Sequence, residues 1–128
     1  MNDEAAAHLE RSRGALRSAR TLLQADEVKD SISRAYYATF HAAKAALVLV
    51  DEYPKTHEGT HNRFWVHFVE TDRFPKQMGQ FFSRAQNMRK DADYEVFSVY
   101  DAMAAQDLLD DAEAFCDAAE TLIDDLSE

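Results

Sequence analysis

The sequence predicts an all-α protein, an antiparallel bundle of three long and two shorter helices. Apolar residues recur at helical spacing along almost the whole chain, and no stretch shows the alternation of a half-buried strand. Glycine and proline number only 3 and 2, and no Gly/Ser-rich linker divides the 128 residues. We therefore expect a single domain over residues 1–128, long enough to bury a core.

The first two helices are predicted from their apolar faces. One stripe of the first helix contains Leu9, Leu16, Ala19, Leu22 and Leu23, and its arginines lie mostly away from that stripe. The second helix starts at Asp30 or Ser31, since either residue type caps helices, and runs to about Val50. The inner face of this second helix comprises Ile32, Tyr36, Phe40, Ala43, Leu47 and Val50.

A loop containing Pro54 separates these helices from three more. The third helix is short and carries Phe64, Trp65, Phe68 and Val69. The fourth begins near Pro75 and carries Met78, Phe81, Phe82, Ala85 and Met88. The last runs from about Tyr94 to Leu126, and the residues expected to face inward are Phe97, Tyr100, Met103, Ala104, Leu108, Phe115, Leu122 and Leu126.

Charge is strongly segregated along the chain. Residues 1–90 hold all 14 Lys and Arg residues against 11 Asp and Glu, whereas residues 91–128 hold 13 Asp and Glu. The acidic segment is interpreted either as a solvated helix surface or as a surface for a basic partner that also repels nucleic acid. With a net charge of −10 the protein is not a general phosphate-backbone binder, so any nucleic-acid contact must be local.

Several further classes are disfavoured by the sequence. The longest mainly apolar run, 42–50, is too short to cross a bilayer, and the polar N-terminus differs from a secretory signal. The single cysteine, Cys116, cannot form an internal disulfide and is expected to be buried and inert. No Gly-rich phosphate loop is present, so nucleotide contacts would use side chains. We expect a cytoplasmic protein with no membrane association.

The segment His57-Glu58-Gly59-Thr60-His61 matches the H-E-x-x-H pattern of zinc peptidases, in which two histidines one turn apart bind the metal. Here the pattern follows a proline-containing loop, Gly59 loosens the helix, and no third ligand is singled out. We interpret it as a helix start and assign no metal ligand.

Three segments carry a family resemblance. They are Arg34-x-Tyr36-Tyr37-Ala38-x-Phe40-His41-Ala42-Ala43, Lys55-Thr56-His57-x-Gly59, and Arg89-x-x-Ala92-Asp93-Tyr94. Together they resemble the small stand-alone HEPN proteins of prokaryotes, in the branch whose Arg-x-x-Ala-Asp-Tyr segment lacks a histidine. The resemblance spans roughly residues 5–125. It implies a homodimer with a nucleotide or RNA groove near the dimer axis, and a nucleotidyltransferase partner in a toxin–antitoxin-like module. We expect no cofactor.

The candidate site residues follow from these segments. Arg34, Tyr37, Asp93 and Tyr94 are expected to form the nucleotide or RNA groove, and Arg89 and His41 are the candidate catalytic residues. In this hypothesis Arg34 and Arg89 hold phosphate and Asp93 orients Arg89. Tyr94 stacks on a base or receives a modification from the partner. Tyr36 and Tyr37 point about 100° apart on a helix, so one of them should reach a groove or an interface.

Other interpretations stay open at this stage. Arg34 and His41 share a helix face and match the Arg-x4-6-His spacing of HEPN ribonucleases, so a metal-independent ribonuclease could use His41 as acid/base beside the two arginines. The resemblance, however, puts that motif around the start of the last helix, where no histidine follows Arg89. Alternatively, Arg89 and Asp93 form a structural pair, with Asp91 or Asp93 capping the last helix. A non-catalytic protein-interaction module is the third possibility.

Overall fold

A computed structural model describes residues 2–97 and 99–128. Five α-helices follow one another: α1 (Asp3–Gln24), α2 (Val28–Val48), α3 (His57–Phe64), α4 (Lys76–Tyr94) and α5 (Ala102–Leu126). A π-helical turn, Trp65–Val69, continues α3 directly and is called the π turn below. The described residues include no strand, so the predicted all-α helical bundle is confirmed.

The helices α1 and α2 form a closely packed antiparallel pair. Small buried alanines line the contact on both sides, which brings the two backbones near enough for side chains to bond across it. The Ser12 hydroxyl donates to the Ala38 carbonyl at 2.7 Å, and the Ser31 hydroxyl donates to the Ala19 carbonyl at 2.8 Å. These bonds satisfy buried hydroxyls and fix the register of the two helices.

The helix α5 packs against α1 and α2 with its acidic residues outward. Arg13 and Arg20 of α1 form ion pairs with Glu120 and Glu113 of α5. Cys116 lies between these pairs, is buried as expected, and has its Sγ 3.4 Å from the Ser12 hydroxyl. Burial raises the pKa of this thiol to about 12, so it stays protonated and unreactive at neutral pH.

Two predicted helix starts were wrong. The helix α2 begins at Val28, because Ser31 is used as a buried donor inside the helix rather than as its cap. The helix α5 begins at Ala102, where the Asp101 carboxylate accepts the Ala104 N–H at 2.9 Å. Neither Asp91 nor Asp93 caps it, because both lie within α4.

The segment between α4 and α5 accounts for the largest error in the predicted core. Residues 89–94 extend α4, so this helix has 19 residues, and a non-helical connection follows it. Phe97 and Met103 are 86% and 74% exposed instead of facing inward. The Lys29 ammonium donates to the Glu95 carbonyl at 2.9 Å and holds the start of the connection against α2.

An aromatic core positions α3, the π turn and α4. Phe64, Phe74, Phe82 and Phe115 pack with ring centroids 4.9–6.0 Å apart, mostly edge to face or tilted. At Gly79, α4 lies so close to the π turn that an added Cβ would be 2.7 Å from a Val69 methyl group. Over the described ranges, no helix is long and apolar enough to cross a membrane.

Candidate functional site

The site is organised around the hydroxyl of Tyr36, a fully buried side chain of α2. This oxygen lies 2.8 Å from His57 Nδ1 and 3.1 Å from His61 Nε2, both on α3. A hydroxyl has one proton, so one imidazole accepts it and the other donates its own N–H to the oxygen. Residues 57 and 61 are one helical turn apart, which is why both rings reach the same atom.

The N-terminal cap of α3 fixes the position of these two histidines. The Thr56 hydroxyl accepts the Gly59 N–H at 2.9 Å and caps the helix. A Cβ at position 59 would lie 2.9 Å from that same hydroxyl oxygen, so glycine leaves room for the cap. The prediction that the H-E-x-x-H segment begins a helix is confirmed. In the part of the chain that the structure describes, no three His, Cys, Asp or Glu side chains are grouped to hold a metal ion.

Both histidines of this group are neutral at pH 7. Burial, followed by the charges of His57, Lys90 and Arg89, lowers the pKa of His61 to about 4. Burial and the charges of Arg89, Lys44 and Lys90 also lower the pKa of His57. Burial raises the pKa of Tyr36, so its hydroxyl keeps its proton.

Arg89 of α4 lies against the two tyrosines. The residue is only 7% exposed, and its Cζ is 5.2 Å from the Tyr36 ring centroid and 5.8 Å from that of Tyr37. Its Nη2 donates to Gln86 Oε1 at 3.0 Å, and its Nη1 donates to Asp93 Oδ2 at 3.3 Å. Its buried Nε–H has no hydrogen-bond partner among the described residues.

An open cavity of about 480 Å³ lies between α3 and α4 at this arginine. We call it the Arg89 pocket; its lining residues include His57, His61, Ser83, Asn87, Arg89 and Lys90. The volume is within the range of small-molecule sites. Two cations and several neutral hydrogen-bonding groups face one carboxylate, that of Glu58, so the lining favours an anionic ligand.

The structure also connects Arg34 to this pocket. The Arg34 Cζ is 5.6 Å from the centroid of the Tyr37 ring, the ring that Arg89 also approaches. Four of the predicted site residues, Arg34, Tyr37, Arg89 and Asp93, thus form a continuous series of contacts. The prediction that Asp93 orients Arg89 agrees with the 3.3 Å bond between them, and its functional role stays a prediction.

The other two predicted residues lie elsewhere. His41 faces α1, with its Nδ1 3.1 Å from His8 Nδ1. Burial and the charges of Arg11, His8, Lys44 and Arg34 lower the pKa of His41 to about 4, whereas Arg89 acts on His57 and His61. Tyr94, at the end of α4, is 76% exposed. The structure therefore offers His57 and His61, rather than His41, as the imidazoles beside Arg89.

Sequence reasoning missed His57, His61 and Lys90 as site residues. The signal is the one-turn spacing of the two histidines, which the sequence suggests as a metal motif or as a helix start. The same spacing lets two imidazoles share one phenol hydroxyl, provided that a buried tyrosine faces them.

A protein-family model described as "HEPN domain" matches residues 5–122. The chain belongs to the HEPN family. The resemblance seen in its three segments is therefore confirmed. A "UPF0332 protein" of Thermotoga maritima is 33% identical over 116 residues, which cover 91% of this chain and 88% of the relative. A "Putative toxin" of Methanocaldococcus jannaschii is 31% identical over 117 residues, covering 91% and 87%. A "UPF0332 protein" of Archaeoglobus fulgidus is 35% identical over 91 residues, covering 71% and 72%.

In this HEPN protein the Arg-x-x-Ala-Asp-Tyr segment forms the end of α4 rather than the start of the last helix. Arg89 and Ala92 are buried on one side of the helix, while Asp93 and Tyr94 are exposed. Residues 89 and 93 are four apart, so the carboxylate of Asp93 lies one turn beyond the guanidinium and within its reach.

Proposed function

We propose that this HEPN protein is a toxin-like protein that binds RNA or a nucleotide by seating a phosphate group in the Arg89 pocket. The observation that carries the proposal is the buried Arg89 guanidinium, whose Nε–H lacks an acceptor within the described residues. Buried N–H donors are nearly always paired, and arginine pairs well with phosphate oxygens. A phosphate seated beside Arg89 would supply a further acceptor, in addition to Asp93 and Gln86, and Lys90 adds a second cation to the pocket.

Tyr37 lies beside the pocket, against Arg89, and we propose its ring as a surface for a base. Its ring is partly exposed and lies within cation–π distance of Arg34 and Arg89. Aromatic rings next to arginines stack unpaired bases with little sequence preference. The proposed ligand therefore places a phosphate at Arg89 and a base over Tyr37.

The homodimer is part of the same proposal. Exposed apolar side chains are concentrated in the connection after α4 and at the start of α5: Val96, Phe97, Val99 and Met103. Clustered apolar exposure marks interaction sites, and a second copy covering these side chains would bring two Arg89 pockets near a common axis. Sedimentation of the purified protein tests this: we expect a dimer that Phe97→Asp converts to a monomer, and a monomeric wild type contradicts it.

The nucleotidyltransferase partner follows from the HEPN resemblance. Two relatives from Methanocaldococcus jannaschii are named "Putative toxin", which supports the toxin-like assignment. The exposed hydroxyl-bearing ring of Tyr94 is accessible to a modifying partner. On co-expression, a nucleotidyltransferase should transfer a nucleotidyl group from a nucleoside triphosphate to the Tyr94 hydroxyl and release pyrophosphate. The resulting mass increase should be abolished by Tyr94→Phe. An unmodified, uncomplexed protein counts against the partner.

Binding of adenosine monophosphate and of a fluorescein-labelled 12-nucleotide RNA tests the pocket. Arg89→Met should weaken both ligands by about tenfold or more, since charged hydrogen bonds are worth about 1.5–3 kcal/mol. Arg84→Met is the matched control, because Arg84 is an exposed arginine of the same helix that lies over Phe81. The proposal is contradicted if the wild type binds neither ligand, or if both variants lose the same affinity.

A ribonuclease is the second candidate, favoured by the neutral imidazoles of His57 and His61 beside Arg89. A neutral imidazole accepts the proton of a 2′-hydroxyl as its oxygen attacks the adjacent phosphorus. The bond from phosphorus to the 5′-oxygen of the next nucleotide breaks, that oxygen takes a proton from water, and Arg89 stabilises the charge that develops on the phosphate. Metal-stripped protein is incubated with a mixed tRNA and mRNA pool. Cleavage lost in His57→Gln and retained in His41→Gln supports this site, and the reverse pattern supports the site predicted from sequence. No cleavage by the wild type removes the ribonuclease candidate.

A further inference from the structure

A second basic cavity lies between α1 and α2, outside the Arg89 pocket. It has a volume of about 740 Å³, and its lining includes Arg11, Arg17, Arg34, Ser18, Thr21 and Gly14. We call it the α1 groove. Its described lining residues contribute three guanidinium groups and two hydroxyls but no carboxylate. This is unusual surface chemistry for a chain with a net charge of −10.

The arginines of α1 divide into two sets with different surroundings. Arg13 and Arg20 face α5 and are neutralised by Glu120 and Glu113. Arg11 and Arg17 face the α1 groove with Arg34 of α2, and these three form no ion pair within the described ranges. The charges of Arg13 and Arg20 are thus neutralised within the fold, whereas the arginines of the α1 groove are available to bind an anion.

Gly14 shapes the floor of this groove. It lies in the middle of the 22-residue helix α1, where glycine costs about 0.5–1 kcal/mol relative to alanine. A Cβ placed there would lie 3.6 Å from Arg17 Nη2, so the guanidinium lies directly over the bare backbone. Because 3.6 Å is an ordinary van der Waals distance, an alanine at this position would leave the guanidinium where it is.

The α1 groove and the Arg89 pocket are connected through Arg34 and Tyr37. Arg34 lines the groove and approaches the Tyr37 ring, and the same ring contacts Arg89 of the pocket. A ligand that stacks a base on Tyr37 can therefore place phosphates on both sides of the contact. Stacking on a side chain requires an unpaired base, which favours a single strand over a duplex.

We propose that the α1 groove binds the sugar–phosphate backbone of single-stranded RNA that extends from the Arg89 pocket, so that the ligand is an oligonucleotide rather than a mononucleotide. This inference rests on the proposed function, because it takes the strand onward from the phosphate seated at Arg89. It adds Arg11 and Arg17 as backbone contacts, with Ser18 and Thr21 as hydroxyl donors.

The test compares two double variants of α1 that change the net charge equally. Arg11→Ala/Arg17→Ala removes the groove arginines, and Arg13→Ala/Arg20→Ala removes the arginines paired with α5. Binding of the labelled 12-nucleotide RNA is measured by fluorescence anisotropy at several NaCl concentrations, and binding of adenosine monophosphate by calorimetry. The slope of log affinity against log salt concentration is negative, and loss of two phosphate contacts should make it shallower by about 1.4, or about 0.7 per contact. The RNA should bind about tenfold more weakly to the groove variant alone.

The pattern of results separates this inference from the proposed function. Equal slopes and affinities for the two double variants overturn the α1 groove, and the Arg89 pocket stands if Arg89→Met still weakens the monophosphate. A wild type that binds the RNA no more tightly than the monophosphate also overturns the groove. If neither ligand binds, both proposals fail. If polyglutamate competes as strongly as RNA, the groove is a site for an acidic protein and the inference is wrong.

Discussion

Replacing Arg89 by methionine should remove phosphate binding while changing the stability of the fold very little. Methionine keeps an unbranched stem that fills the space between Tyr36, Tyr37 and α4. It removes a cation that is desolvated and only partly hydrogen-bonded. If Arg89 serves ligand binding, the substitution should leave the free energy of unfolding nearly unchanged. If Arg89 is a structural clasp, the substitution should lower it.

The expected magnitude follows from the contacts of the guanidinium. The substitution loses one partly buried hydrogen bond to Gln86, worth about 1 kcal/mol, and a pair with the exposed Asp93 four residues away, worth about 0.5 kcal/mol. It also loses cation–π contacts with two tyrosines, together about 1 kcal/mol. In the opposite direction, removal of an unpaired buried N–H stabilises the folded state by about 1–3 kcal/mol. The free energy of unfolding should therefore lie between about 1.5 kcal/mol below and about 0.5 kcal/mol above that of the wild type.

Urea unfolding followed by circular dichroism at pH 7 measures this change, with Arg84→Met as the surface control. A loss of more than about 3 kcal/mol would refute the reasoning, because a cost of that size is typical of breaking a buried ion pair. Arg89 would then be the structural clasp that the sequence also allowed, and the Arg89 pocket would lose its main support.

Two further predictions use the same unfolding assay. Gly14→Ala should raise the free energy of unfolding by about 0.5–1 kcal/mol. Gly79→Ala should lower it by about 1–3 kcal/mol, because the added Cβ would lie 2.7 Å from Val69. An increase in the free energy of unfolding for both variants would contradict the close packing at Gly79. Stability should also fall as the pH drops from 6.5 to about 4. Burial lowers the folded-state pKa of His41 and of His61 to about 4, so the unfolded chain, with a histidine pKa near 6.5, binds more protons in this interval. Combining His41→Gln with His61→Gln should flatten the pH dependence, and a wild type equally stable at pH 4.5 and 6.5 would count against these two shifts.

The helices were largely predictable from the sequence, whereas the connection between α4 and α5 was not. Apolar residues between 94 and 103 continue a helical spacing, and spacing alone cannot distinguish a side chain that faces the core from one that faces solvent or a partner. The spacing of Phe97 and Met103 places them on the predicted inward face, but both are exposed in the structure. The residue that caps α5 is Asp101 rather than the predicted Asp91 or Asp93, and residue type alone does not distinguish the three aspartates.

The site was predictable where it depends on local spacing and unpredictable where it depends on packing between helices. The pairing of Arg89 with Asp93 follows from four residues of separation. The contact of Arg89 with Tyr36, and of Tyr36 with His57, arises because α3 and α4 both pack on α2, across separations of 21 and more residues. His41 was chosen for its spacing from Arg34, but its neighbour in the fold is His8 of α1.

The segregation of charge has a consequence for how quickly, and in which orientation, an anionic ligand arrives. The acidic α5 neutralises one edge of α1 through Arg13 and Arg20 and leaves the opposite edge positive. Such a molecule has a pronounced electric dipole, and a polyanion approaching from the α5 side is repelled before contact. Encounters are thereby biased toward one face, so that a small number of arginines can raise the rate of association in a protein whose overall charge opposes it.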